Sequence, residues 1–387
     1  MIRVAFIGAV SKEWMGGLNY FKNLLYALST IEKRELEVFV FVGKNTDEDI
    51  KTMFRQYAVV IEDSIFDRKS IKWFLHKIEN KFFKTNFILE SVLKKYDIKV
   101  LSHSSIVRLN GIKTINWIPD FQHLHLMDMF SQNEIKNRDA NFINLIKNSH
   151  KIVLSSYDAL NDLKVFAPEH IAKADVLQFV SQPDVKYFSL TQKNEEKLRE
   201  KYNLKDEFFY IPNQFWKHKN HMLVLQAVKM LVDDGIRICV VCTGYLKDYR
   251  NKNHIDEIED FIKINKLEDN MKLLGLVEYE DVFGLIKFSK AVINPSLFEG
   301  WSSTVEECKS VAKEMILSDL DVHKEQYPTA TFFQRKSAES LKSILKDYES
   351  LEHDKEIETL EIRTKLFANR YVEIVKEVVN DNEIQKK

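Results

Sequence analysis

The sequence predicts an α/β protein of two Rossmann-like, doubly wound parallel-sheet domains facing across a cleft. Three observations carry this. Short apolar runs alternate with helical patterns along the whole chain, as in stacked βαβ units around parallel sheets. The alternation breaks at Gln182-Pro183-Asp184 and restarts near Phe208. At 387 residues, the chain also exceeds what one hydrophobic core usually serves. The expected division is 1–185 for the first domain, 186–360 for the second, and 361–387 for a helix crossing back to the first.

In the first half, Val4–Ile7 reads as a strand, Gly16-Gly17 as a turn, and Leu18 to Leu28 as an amphipathic helix. Val38–Val42, Val100–Leu101, Thr114–Trp117 and Lys151–Leu154 read as later strands. In the second half Phe208–Ile211, Ile236–Cys242, Met271–Leu274 and Ala291–Asn294 read as strands, each followed by a helical stretch. Leu360 to Val379 has the apolar spacing of a helix and runs into a charged tail.

Composition narrows the function classes. Hydrophobic residues make up 45% and charged residues 30%, which fits a globular chain and excludes a fibrous or disordered one. A formal net charge of −1 supplies no general attraction to nucleic acid, and no nucleic-acid partner is expected. No run approaches the roughly 20 apolar residues of a membrane span, and Met1–Gly8 lacks the flanks of a signal peptide. With three cysteines and no disulfide framework, a cytoplasmic location is expected. Cys239 and Cys242 have redox or zinc spacing, but they lie inside a run that reads as a buried strand.

The strongest motif runs from Asn294 to Glu307, NPSLFEGWSSTVEE. A strand ends at Asn294, a loop carries Glu299 and Gly300, and a helix begins around Ser302 to Thr304. A helix start with free N–H groups and hydroxyls suits an anion such as a nucleotide diphosphate. Glu307, one turn in, can point back to ribose hydroxyls, and Glu299 can hold sugar hydroxyls. A capped surface helix would show the same residues.

The second motif, Tyr210 to His221, places Lys217 and Lys219 at the exit of a strand, where cations can neutralise a departing diphosphate. His218 and His221 offer two metal ligands, but no carboxylate or cysteine completes a set, and no metal site is expected. A solvated basic loop is the plainer alternative. Gly16 and Gly17 would let backbone approach a ligand closely. His103-Ser104-Ser105 could line a second side of the cleft or cap a loop.

Together, Glu299-x7-Glu307, the Lys219-Asn220 turn and the Gly16-Gly17 loop resemble glycosyltransferase family 4, retaining enzymes of the GT-B fold. The Lys217–His221 and Phe298–Ser302 variants, with Ser318 to Gln326, look like members in bacterial surface-polysaccharide (lipopolysaccharide) assembly. The resemblance spans nearly the whole chain, and is thinner from about Lys44 to Lys99. It implies that Lys219 grips the donor diphosphate, that Glu299 meets the sugar and that Glu307 meets the ribose. It further implies that Ser302, Ser303 and Thr304 offer N–H groups to phosphate. Gly275 to Val277 would border the base, and Gly244 would open the loop beneath the nucleotide. Asp120, with His123 second, would stand on the catalytic side of the first domain.

By the same resemblance, attack comes from the front face with no carboxylate nucleophile, and the departing phosphate takes the acceptor proton. No cofactor or metal is implied beyond the nucleotide sugar itself. One departure is Asn213, where many members carry an Arg; Lys217 would have to supply that charge.

From Arg68 to Lys95, eight Lys/Arg stand against two Glu, with Trp73, Phe74, Phe82, Phe83 and Phe87 interleaved. Such a stretch can lie peripherally on an anionic membrane, at its inner face; the resemblance implies that a lipid-linked or glycan acceptor would be presented there. An ordinary helix pair with solvated lysines reads equally well. Two rival readings remain: another enzyme on the same fold, such as a nucleotide-sugar epimerase or a phosphorylase, and a non-catalytic nucleotide-sugar-binding partner of a polysaccharide assembly complex.

Overall fold

Strands buried on both faces read as unbroken apolar runs, and β1 (Ile2–Ile7) is one: Val4, Ala5 and Phe6 are fully buried. In the computed structural model, which describes residues 1–8, 15–183, 186–248, 250–348 and 360–384, β1 lies inside a seven-stranded sheet. Its partners are β2 (Leu36–Val42), β3 (Val59–Glu62), β4 (Val100–Ser102), β5 (Lys113–Ile118), β6 (Lys151–Leu154) and β7 (Ala174–Val176). The order is β3-β2-β1-β4-β5-β6-β7 and every pairing is parallel, with Val4 in register with Val38 on one side and Val100 on the other.

A second sheet holds β8 (Phe209–Ile211), β9 (Val240–Thr243), β10 (Met271–Gly275), β11 (Val292–Asn294), β12 (Met315–Ser318) and β13 (Thr331–Phe333). It is again all parallel, in the order β10-β9-β8-β11-β12-β13. The chain divides accordingly. The first unit is Met1–Phe121, Ser131–Val180 and Glu358–Lys387; the second is Gln122–Phe130 and Ser181–Ile357. The fold class is α/β with two doubly wound parallel-sheet units.

Several local expectations change. Gly16-Gly17 is no turn: both lie in the first turn of the helix Met15–Ser29. The strand expected from Ile236 starts only at Val240, because Gly235 (φ +77°) still belongs to the preceding helix end. Strands β3, β7, β12 and β13 were not anticipated; each has only three or four residues. Cys239 and Cys242 are both buried free thiols, and they pack into different clusters of the second unit's core. Asp184, in the expected break, lies outside the described residues.

The helix Leu360–Ile384 belongs to the first unit. Its buried Tyr371 packs its ring 5.8 Å from Phe6 and 6.1 Å from His103. Lys151 bonds Glu377 at 3.0 Å, and Arg370 pairs with Asp175. His103 is thereby built into an aromatic cluster: Tyr20 Oη lies 2.8 Å from its Nε2, Ser102 Oγ 2.7 Å from its Nδ1, and burial lowers its pKa to about 3. Among the described residues no helix is long and apolar enough to cross a membrane.

Candidate functional site

In the second sheet the order reverses between β8 and β11, and a crevice opens at the carboxyl ends of such a pair. Asn213 follows β8 and Asn294 ends β11, and both are buried. Asn213 Nδ2 donates to Asn294 Oδ1 at 3.2 Å, and Thr304 Oγ1 donates to Asn213 Oδ1 at 3.4 Å. Asn294 Nδ2 in turn donates to Ser302 Oγ at 3.1 Å. The position where an Arg was expected is thus filled by an amide that ties the segment after β8 to the end of β11 and to Thr304. Two amides can do this because each carries both a donor and an acceptor.

Above this floor the structure brings Lys219 to Glu299. Lys217–Lys219 forms one short 3₁₀ turn, and Asn220 leaves it in the left-handed region (φ 59°). Asn220 Nδ2 donates to the carbonyls of Pro295 and Arg335, both at 3.1 Å, and Leu297 N donates to His218 O at 2.8 Å. These bonds fix the two loops against each other. Lys219 Nζ then lies 2.6 Å from Glu299 Oε1, and Ser296 Oγ donates to the same oxygen at 2.6 Å. Burial alone would raise the Glu299 carboxyl; the Lys219 ammonium and the hydrogen bonds outweigh it and hold the group at about 2.

Lys217 is exposed, with its backbone N–H on Asp248 Oδ2 at 3.0 Å. His218 and His221 are buried, each lowered to about 3 by burial, and they do different jobs. His218 Nδ1 lies 3.3 Å from Arg250 Nη2, whereas His221 stacks on Phe215 at 4.2 Å. No group of three or more His, Cys, Asp or Glu among the described residues could hold a metal ion. Asp319 accepts from Arg335 N at 3.1 Å, and Asp321 pairs with Lys324 at 3.5 Å, so each is tied locally.

The helix Ser303–Ser310 starts at the crevice, and here the expected role of Ser302 changes. Ser302 is the N-cap: its hydroxyl accepts from Val305 N, and its own N–H donates to Gln326 Oε1 at 3.1 Å. That N–H is not open to phosphate. Among the described residues the N–H groups of Ser303 and Thr304 carry no hydrogen bond, as expected for the first turn of a helix. Glu307 sits one turn further, has no hydrogen-bond or ion-pair partner among the described residues, and is pushed up to about 7 by burial.

Gly244 follows β9 at φ +139°, and a Cβ there would lie 2.4 Å from Asn213 O. Its N–H donates to Gly275 O at 2.8 Å. Only glycine fits this approach, so Gly244→Ala should destabilise the protein by about 2–3 kcal/mol, read as a lower urea midpoint. Val277 is half-buried, its side chain packed against the core beside β10, while Gly300 is half-buried in the loop after Glu299. Asp120 belongs to the first unit and the buried His123 to the second; Gly16 and Gly17 are in the first.

Arg250 was missed. Its guanidinium lies 5.4 Å from the ring centroids of both Phe130 and Trp216, and Nη1 donates to Gln122 Oε1 at 3.3 Å. With the His125–Phe298 ring contact at 5.1 Å, it holds the segment Gln122–Phe130 beside the loop that carries Glu299.

Residues 192–365 match the family model described as Glycosyl transferases group 1. No curated protein is similar enough in sequence to match. Solved structures similar to this chain include a glycosyltransferase from Rickettsia africae ESF-5, with 16% identity, 98% of each chain covered and a TM-score of 0.66. Anabaena Alr3699/HepE in complex with UDP and glucose has 13% identity, 100% and 99% coverage and a TM-score of 0.62. The catalytic domain of starch synthase IV from Arabidopsis thaliana, bound to ADP and acarbose, has 12% identity, 98% and 99% coverage and a TM-score of 0.63. These likenesses show the fold, which is that of the GT-B glycosyltransferases.

Proposed function

From the match of residues 192–365 to the Glycosyl transferases group 1 model, we propose that the chain is a retaining, family 4-like glycosyltransferase. It moves a hexosyl group from a UDP- or GDP-sugar to a glycan or lipid-linked acceptor in cell-surface polysaccharide synthesis, in the cytoplasm. The observation that carries this is the 2.6 Å Lys219–Glu299 pair set beside a helix start whose first N–H groups are open. Neighbours of the same fold were solved with UDP and glucose, and with ADP.

The chemistry follows from charge. As the bond from the anomeric carbon to phosphate breaks, negative charge gathers on the departing diphosphate. Lys219 and the N–H groups of Ser303 and Thr304 are fixed where they can receive it, with no reorganisation. Glu299, kept ionised by Lys219, accepts hydrogen bonds from sugar hydroxyls and orients the ring. Glu307 accepts the ribose hydroxyls. The acceptor oxygen then bonds the anomeric carbon on the face the phosphate leaves, and its proton passes to a phosphate oxygen. Asp120 and His123 are proposed on the acceptor side, and Lys217, Gly244, Val277 and Gly300 around the nucleotide. No metal is required, so activity should survive a chelator.

A thermal-shift panel of UDP, GDP, ADP and dTDP tests the reading. At a hundred times Kd, one member should stabilise the protein by about 2.7 kcal/mol, raising Tm by several degrees. Nucleoside diphosphate should then be released only when acceptor is added. Conversion of the donor into an epimeric nucleotide sugar without acceptor would favour the epimerase reading; tight binding with the donor left intact would favour the non-catalytic one. No shift with any nucleotide would refute the donor site itself.

A further inference from the structure

A guanidinium carries five N–H donors and no acceptor, so an imidazole nitrogen bonded to it must offer a lone pair. Arg250 Nη2 lies 3.3 Å from His218 Nδ1, and this contact fixes which ring nitrogen carries the proton. Nδ1 accepts, and the hydrogen is on Nε2. An imidazolium would set donor against donor. Burial, reinforced by the Lys219 ammonium, keeps the ring neutral by lowering its pKa to about 3.

The ring is held in one orientation. Arg250 is seated between Phe130 and Trp216, and its backbone N–H donates to Asp248 Oδ1 at 3.0 Å. The other oxygen of Asp248 accepts from Lys217 N, and His218 O accepts from Leu297 N at 2.8 Å, so the lysine turn is tied to the loops on both sides. With Nδ1 turned to Arg250, Nε2 points the other way. His218 is only 4% exposed, yet Nε2 has no hydrogen-bond partner among the described residues. Unlike the ring nitrogens of His221, it is not sealed from solvent. The charges of Lys219 and Glu299 both reach the ring. An oriented N–H without an acceptor in the protein, beside a fixed ammonium, suits an anionic oxygen.

We propose that His218, oriented by Arg250, is a diphosphate-binding residue whose Nε2–H donates to a phosphate oxygen of the nucleotide sugar. The inference rests on the donor-site reading and deepens it. It also gives Asn213 a physical account. An Arg at that position would bring hydrogen-bond donors and charge in one group. Here the two are divided: the imidazole donates without charge, and Lys219 supplies the charge.

Calorimetric titration of the full chain tests this, using whichever of UDP, GDP, ADP and dTDP binds wild type best. His218→Gln sets an amide N–H near the place of Nε2. His218→Asn sets an oxygen near the place of Nδ1, which satisfies Arg250 but does not reach the phosphate. The Gln variant should keep affinity within about threefold of wild type, while His218→Asn and His218→Leu should each lose about tenfold, the size of one hydrogen bond to a charged group. The matching nucleoside, which has no phosphate, should bind all four proteins alike in ligand-observed NMR. Undiminished diphosphate affinity in His218→Leu, or rescue by Asn and not by Gln, would overturn the assignment. So would nucleoside binding that falls in step with diphosphate binding, because the loss would then lie in the fold. If no diphosphate binds wild type, the donor-site reading falls and takes this inference with it.

Discussion

On the proposed mechanism Lys219→Ala should lower kcat/KM by about three orders of magnitude, because it removes the fixed cation proposed to receive the leaving-group charge. The same substitution destabilises the fold by about 3 kcal/mol or more, since it leaves the Glu299 carboxylate buried without its counter-ion. The two effects separate in the double variant. Lys219→Ala with Glu299→Gln should recover most of the stability, measured by urea denaturation, and none of the turnover. The pH dependence has a definite sign. Glu299 is held at about 2 against a usual 4.5, so the pair stabilises wild type above 4.5 and loses that contribution as pH falls through about 2. Lys219→Ala should not show this acid-side loss. If its turnover stays within tenfold of wild type, Lys219 is not the diphosphate's counter-charge.

Nucleotide affinity should climb about tenfold between pH 6 and pH 8, and Glu307 is the reason. Burial pushes its carboxyl up to about 7, so near pH 6 most of the protein carries it protonated. Ribose hydroxyls donate hydrogen bonds and favour the carboxylate, so binding there must expel a proton. Above about pH 8 the group is already ionised and that penalty vanishes. In the free protein the linkage runs the other way. Between 4.5 and about 7 the folded state holds the proton longer than the unfolded chain, and this group's contribution to stability falls as pH rises. Titration calorimetry in buffers of different ionisation heat should find nearly one proton released per nucleotide at pH 6. Glu307→Gln should bind weakly and without pH dependence. A wild-type affinity that is flat across this range would remove Glu307 from the ribose.

What could be read in the sequence was what is local. Val4–Phe6, Ile152–Leu154 and Val292–Asn294 announce parallel strands because both faces are buried and the run is unbroken. The strand β3 escapes that test: it pairs only with β2 at the sheet edge, and its four residues are exposed or half-buried. The spacing from Glu299 to Glu307 was legible because one strand–loop–helix passage carries both. Gln326 was not, since it reaches Ser302 from 24 residues away and takes the N–H that local reasoning offered to phosphate. Arg250 answers to Gln122, 128 residues away, and nothing in its own neighbourhood marks it. Gly16 and Gly17 fail in the opposite sense: glycine's preference for turns is a weak local bias, and they sit within a 15-residue helix.

The final helix carries a consequence for synthesis. Phe6 leaves the ribosome 365 residues before one of its ring neighbours, Tyr371. Phe367, Tyr371, Ile374 and Val375, all buried in the finished unit, likewise arrive after every strand of both sheets. The first unit's sheet therefore stays open on one side until this helix has been made, while the sheet begun at Phe209 can close as soon as its own strands emerge. The first half to be born is the last to be completed.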